Sequence, residues 1–388
     1  MSTVTPDAPA PGLPVLKNLL GERPLAQIVL FVGVIAALGW LGQTMTGNMA
    51  RVGILPGFGF LSHPTNFAIG ETLITYSPES SFARAIFVGF LNTLVVSLLG
   101  CVIATVLGVA LGFARLSENP LLSGTVRAYV ELIRNTPLLL QLFFWSATFK
   151  AFPAARQALE PVAGVFLSNR GIFIPAFRFE SGTALAAVSV ALVIAATGLA
   201  LRRRIGLSVP TALLAALVAL ALLAALLVAS GGLRVDLPVL KGFNIVGGLS
   251  LTTEFGALLV GLFVNASALI AEVVRSGIQS VPRGQWEAAR SLGLHRGQIY
   301  AKIVLPQALR VITPLMTSNY LSLIKNSSLA IAIGYPDLVS ILSTSANQTG
   351  QALETILIMA GIYLSISLAV SYAMNRYNKH YALRGLTR

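Results

Sequence analysis

The sequence predicts an all-α polytopic membrane protein with about eight transmembrane helices. Hydrophobic residues make up 55% of its 388 residues and charged residues only 11%, and the mean hydropathy is +0.79. A soluble domain of this length would carry roughly 25% charge. Apolar runs long enough to cross a bilayer, which takes about 20 residues, recur along the whole chain.

Eight spans follow in order: 26–42, 85–114, 128–149, 183–201, 209–229, 255–274, 311–334 and 355–374. The first is read as a retained helix, because Asp7, Lys17 and Glu22-Arg23 do not form the basic leader and small-residue cleavage site of a signal peptide. The second is long enough to tilt or to project from the bilayer. Between the first two, residues 45–82 are rich in Gly, Pro and Ser and read as a long external loop. The fourth and fifth spans are Ala/Leu-rich and carry no acid or base, so lateral packing is their expected role.

Lys and Arg orient the spans. With the N-terminus in the cytoplasm, seventeen of the 27 basic residues fall in cytoplasmic segments and eight in external ones. The excess predicts both termini inside. The net charge of +13 does not point to nucleic acid, since the positives cluster beside apolar segments and form no stripe interleaved with aromatics. Cys101 lies in an apolar run and is the chain's single cysteine, so no intrachain disulfide can form.

One stretch departs from the membrane-like pattern. Between Val281 and Pro306 the chain is basic and amphipathic, with Glu287-Ala288-Ala289 followed by Gly293 and then by Ile303 and Leu305-Pro306. Residues 285–292 can form about two helical turns, and Gly293 stands where a helix would end, because glycine accepts the left-handed conformation. A second short helix can run from His295 to Val304. Two short helices joined by a glycine make a knob suited to a partner's groove. The plainer alternative is a solvated loop whose basic residues, six from Arg275 to Arg310, merely follow the orientation rule.

Polar groups inside the spans narrow the search for a transport path, because a charge at the bilayer centre costs roughly 2.5–3.5 kcal/mol on insertion scales. Glu131 with Arg134 and Glu272 with Arg275 stand three apart and are expected to pair on one helical face. Helix-end salt bridges are the competing reading of both pairs. Lys325-Asn326 interrupts the seventh span and should face a protein interior or an aqueous path. Asn92-Thr93, at the start of the second span, is the weakest candidate.

The segment around Glu287 resembles the cytoplasmic E-A-A coupling loop of ATP-binding-cassette importer permeases. Further segments resemble the polar amino-acid branch of that family: Gly89–Leu94, Glu131–Phe143 with its Arg134-Asn135-Thr136-Pro137-Leu138 run, Ala271–Arg275, Lys325–Leu329 and Tyr381–Gly385. The resemblance covers about residues 85–151 and 252–388. It implies a type I importer permease core with an extra N-terminal helix and an inserted helix pair. The division is an N-terminal part over 1–84, a permease domain over 85–380 (core 85–151 and 252–380, insertion 152–251) and a tail over 381–388. Also implied are partner ATPase subunits that grip Glu287, Ala288, Ala289, Gly293, Ile303, Leu305 and Pro306, and a periplasmic amino-acid-binding protein. The length resembles broad-specificity general L-amino-acid permeases, which implies a second, related permease as heterodimer partner. The expected location is the bacterial inner membrane.

No phosphate-binding G-x-x-x-x-G-K-[S/T] motif occurs, so ATP and Mg belong to the partner; this chain is expected to hold no cofactor or metal and to be no enzyme. The three histidines, His63, His295 and His380, are scattered, and no H-E-x-x-H or G-x-S-x-G occurs. An ion-coupled secondary carrier is the remaining alternative; it would be expected to carry a mid-span acid and would have no use for a coupling loop.

Overall fold

A computed structural model describes residues 24–51, 53, 57–179 and 233–383. Its architecture is helical and fits a polytopic membrane protein. Among the described residues, five helical segments are long and apolar enough to span a bilayer: Leu25–Arg51, Phe82–Arg115, Thr253–Gln279, Arg296–Ile333 and Ala352–Arg376. They cover the first, second, sixth, seventh and eighth predicted spans. The fourth and fifth, at 183–201 and 209–229, lie outside the described residues.

Helix α1 (Pro24–Arg51) stands apart, with nearly all its apolar side chains exposed. Helix α2 (Phe82–Arg115) starts at Ser81, whose side chain accepts from the Arg84 amide, and runs 34 residues. The third predicted span is corrected: it is not one helix but α3 (Pro120–Arg134) and α4 (Leu138–Lys150), broken at Asn135-Thr136-Pro137. Pro137 has no N–H to donate and excludes the α conformation from the residue before it. Buried Gln141 then satisfies the carbonyls freed at the break, donating through Nε2 to Ile133 (3.0 Å) and Thr136 (2.9 Å).

Helix α5 (Thr253–Gln279) is the spine of the bundle and buries the largest share of its length. Its contact with α2 depends on small residues spaced by four: Ala104, Gly108 and Gly112 are all buried. A Cβ at Gly108 would lie 2.6 Å from Ile270 Cβ, and one at Gly112 would lie 2.7 Å from Val274 Cβ. The two backbones therefore approach as closely as glycine permits, the usual device where packing must hold helices together in lipid. Short helices α6 (Arg283–Ser291) and α7 (Arg296–Ile299) follow, then a π turn at Tyr300–Val304 and α8 (Leu305–Asn326). Beyond α8 the chain tightens to a 3₁₀ helix over Ser327–Ile333 and closes at Gly334; α9 (Leu338–Thr349) and α10 (Ala352–Leu383) complete the fold.

The described residues between α4 and α5, 151–179 and 233–252, are more ordered than a loop. They hold eight short strands: β1 (Leu159–Val162), β2 (Val165–Ser168), β3 (Gly171–Ile174), β4 (Ala176–Phe179), β5 (Leu233–Asp236), β6 (Val239–Lys241), β7 (Asn244–Val246) and β8 (Leu249–Leu251). All pairings are antiparallel, and β8 joins β1–β2–β3 to close a four-stranded sheet. This sheet leads directly into Thr252, which caps α5.

The residues before α2 are clasped to the bundle end that carries this sheet. Glu71 Oε2 accepts from the Thr252 hydroxyl at 2.5 Å, and the Glu71 carbonyl accepts from Asn92 Nδ2 at 3.0 Å. Burial pushes the Glu71 carboxyl up from its ordinary range, and the Thr252 hydrogen bonds oppose that shift.

Candidate functional site: the segment between α5 and α8

Residues 281–306 fold as the knob their spacing predicts. Helix α6 ends with Gly293 at φ +70°, and its amide donates to Arg290 at 2.9 Å while Leu294 reaches back to Ala289 at 3.3 Å. These bonds satisfy carbonyls that the helix end leaves open. His295 caps α7: its Nδ1 accepts from the Gln298 amide, and Gln298 Oε1 accepts from the His295 amide, a reciprocal box. The two short helices are thus held in a fixed bend.

One face of the knob is anchored and the other is open. Ala289, Ile299 and Val304 are buried in the main core, and the Trp286 and Tyr300 rings meet edge-on at 5.2 Å. Gln307 Nε2 donates to Gln285 Oε1 at 3.3 Å, tying α8 to α6. Arg296 donates to Glu118 at 2.7 Å, a fully exposed tie to the turn after α2. Glu287, Ala288, Gly293, Leu305 and Pro306 are exposed, whereas Ile303 is half-buried. Leu292 is 76% exposed at the tip. No ion pair of Glu287 is recorded among the described residues, so its carboxylate is available to a partner. A cavity of about 360 Å³ opens beside this surface, walled by Trp286, Arg290, Tyr300 and Glu118.

The predicted polar residues divide into three groups. Asn92 and Thr93 are buried and hold backbone: Asn92 Nδ2 also donates to Pro336 O at 2.9 Å, and Thr93 Oγ1 accepts from the Leu338 amide at 3.0 Å. Together they fix the start of α9 against α2. The expected Glu131–Arg134 pair is corrected. Glu131 pairs with Arg127, one turn earlier, at 2.7 Å, and Arg134 turns toward Glu272 at 3.9 Å. Arg127 and Glu131 are both exposed one helical turn apart on α3, whereas Arg134 is drawn to the Glu272 carboxylate of α5. Glu272 and Arg275 do pair, and Arg115 at the end of α2 joins the same carboxylate. This cluster ties the ends of α2, α3 and α5 together. Arg115 was not singled out in the sequence, because its partner is 157 residues away.

Lys325 and Asn326 form the third group. Asn326 is half-buried at the point where α8 tightens into the 3₁₀ turn. Lys325 is exposed, and with Ser318 and Ser322 it makes a polar stripe along α8. Thr105 Oγ1 and Tyr320 OH, 2.8 Å apart, link α2 to α8 beside it.

A bundle of apolar helices with a two-helix knob at one end is the arrangement of a membrane permease subunit. The chain belongs to the binding-protein-dependent transport system inner membrane components, a family match that spans residues 204–381. Its relatives within that family are amino-acid ABC transporter permeases. It is 44% identical to the putative amino-acid ABC transporter permease protein YhdX of Escherichia coli (strain K12), over 92% of this chain and 94% of the relative. It is 41% identical to the general L-amino acid transport system permease protein AapQ of Rhizobium johnstonii, over 92% and 91%. It is 37% identical to the glutamate/glutamine/aspartate/asparagine transport system permease protein BztB of Rhodobacter capsulatus, over 92% and 93%. Among solved structures, an amino acid ABC transporter with histidines aligns at 21% identity and TM-score 0.46, over 77% of this chain and 95% of that one.

Proposed function

We propose that this chain is one membrane-spanning half of an ATP-driven importer of L-amino acids with broad specificity, polar and acidic ones included. The knob at 281–306 is the observation that carries the reading: an anchored inner face with an outer face that presents Glu287, Ala288, Gly293, Leu305 and Pro306. In this reading an ATPase subunit grips that face and holds the ATP and Mg. A periplasmic amino-acid-binding protein delivers substrate at the opposite end, and a related permease completes the pore as a heterodimer. The knob end and both termini are cytoplasmic, and the membrane is the bacterial inner membrane.

The polar stripe on α8 supports a path at the interface between the two permeases. A lysine exposed on a spanning helix is costly against lipid, so the Ser318–Ser322–Lys325 stripe faces water or the second permease. Lys325 there attracts the carboxylate that every amino acid carries. Asn92 and Thr93 are occupied in holding the bundle and contribute to the path only through its shape; Arg134, Glu272 and Arg275 act likewise at the knob end, while Glu131 is taken by its exposed pair with Arg127 within α3.

Purification of the tagged chain from membranes tests the assembly. An ATPase, a second permease and a binding protein that follow it through neutral detergent support the proposal. A chain that purifies alone and transports alone returns it to the ion-coupled carriers.

A further inference from the structure

At the knob end of the bundle lies a second cavity, of about 520 Å³, whose walls include Arg115 from α2, Ser123 and Arg127 from α3, and Arg275 and Gln279 from α5. It is separate from the cavity beside Trp286. Three guanidiniums line it, those of Arg115, Arg127 and Arg275, and Arg134 joins them through Glu272, so that four arginines meet the two carboxylates of Glu131 and Glu272. Glu272 is shared by Arg115, Arg134 and Arg275, and Glu131 is taken by Arg127. The cluster therefore keeps a surplus of positive charge directed at an open space.

Helix α3 places that space at a membrane surface. At 100° per residue, Leu121, Thr125, Ala128 and Leu132 share one face, and all four are exposed. Val126 and Val130 share the next face and pack on Ala268 and Ala271 of α5. Ser123, Arg127, Glu131 and Arg134 occupy the third. A helix that is buried on one side, apolar and bare on another and charged on the third lies in the plane of an interface, leucines in the acyl layer and arginines at headgroup level. Neighbouring α2 and α5 are long and apolar enough to span the bilayer, and their last residues, Arg115 and Gln279, both border the cavity.

We propose that this cavity binds the phosphate-bearing headgroup of an anionic membrane lipid. Arg127, Arg115 and Arg275 surround the phosphate, Ser123 and Gln279 offer hydrogen bonds, and the bare leucine face of α3 lies along the acyl chains. Basic pockets between spanning helices take anionic headgroups by this chemistry. Arg127 is the adjustable member, being 69% exposed, whereas Arg115 at 12% is committed to Glu272. A headgroup bound there touches α3 and the last turns of α5, which lead directly into the knob.

The test uses the full chain in neutral detergent, titrated with fluorescent phosphatidylglycerol or phosphatidylcholine. Phosphatidylglycerol should bind more tightly, and Arg127→Gln should lose about fivefold of that affinity, the effect of one basic residue near a lipid surface. Ser123→Glu, which places a carboxylate in the cavity wall, should lose at least as much. Arg84→Gln, the same charge change at the opposite end of α2, should bind like the parent. Equal affinity for the two lipids, or parental binding by both Arg127→Gln and Ser123→Glu, would overturn the proposal. Displacement of phosphatidylglycerol by excess inorganic phosphate would assign the cavity to a water-borne anion and overturn the lipid reading.

Discussion

Gly293 is the residue on which the knob's bend depends, and its replacement isolates the proposed coupling function from folding. Its φ of +70° lies in the left-handed region, and a Cβ built there meets nothing within 4 Å. Steric crowding by neighbours is therefore absent, and the whole cost of a side chain is backbone strain. That cost is about 1–2 kcal/mol for an L-residue, at the upper end for a β-branched one. Asparagine, whose short polar side chain tolerates the left-handed region, lies at the lower end. At about 1.4 kcal/mol per factor of ten, Gly293→Val should lower the equilibrium constant for the native bend by roughly 5- to 30-fold. Glycine 293 touches neither the core nor the spanning helices, so the amount of protein in the membrane should not change. The assay pairs retention of the ATPase on the tagged chain with amino-acid uptake in cells. Val should lose most of both, Asn should keep much of both, and Glu287→Lys, which reverses an exposed charge without straining the backbone, should lose the ATPase as well. If Gly293→Val and Glu287→Lys both retain the ATPase and transport like the parent, residues 281–306 are only a solvated connector.

Lys325→Ala should reduce uptake at least tenfold while the ATPase stays bound, because the lysine lies on the α8 stripe far in sequence from the knob; parental uptake would remove it from the path. Gly108→Leu should destabilise the α2–α5 contact by about 1–3 kcal/mol or more, read as a lower thermal midpoint in detergent, since its Cβ alone would lie 2.6 Å from Ile270; an unchanged midpoint would mean the helices pack elsewhere. Asp337, fully buried at the start of α9 with its Oδ1 accepting from Ser340 at 2.8 Å, has its carboxyl pushed up to about 7 by burial. Its folded-state value exceeds its unfolded one, so its stabilising contribution is full below about pH 4 and declines as pH rises to about 7. Asp337→Asn keeps the capping oxygen and should flatten the fall in thermal stability over that window; the same fall in the variant would refute the assignment.

The spans and the knob were legible because they depend on local chemistry. Apolar length places α2, α5 and α10, and glycine at a helix end places the bend at Gly293. The break in the third span was missed, although Pro137, which cannot continue a helix, and the polar Arg134-Asn135-Thr136 before it were the signal that could have placed it. Side-chain partners were less accessible. Glu131 had two arginines within one helical turn, and spacing alone could not choose Arg127 over Arg134. The meeting of Arg115 with Glu272 depends on how α2 and α5 pack, and on the four-residue spacing of Ala104, Gly108 and Gly112 that permits it. The strands flanking residues 180–232 escaped because segments of three or four residues carry too little alternation to separate them from loop. Glu71 shows the same limit: its clasp on Thr252 joins residues 181 apart.

ATP-driven uptake in proteoliposomes tests the central claim most directly. The chain, its co-purifying permease and ATPase are reconstituted together, with binding protein and radiolabelled L-amino acids outside the vesicles and ATP enclosed within. Accumulation should require the enclosed ATP, the binding protein and an intact Glu287–Gly293 surface, and should persist when proton and sodium gradients are collapsed. Accumulation that follows an imposed proton or sodium gradient without ATP would contradict the account.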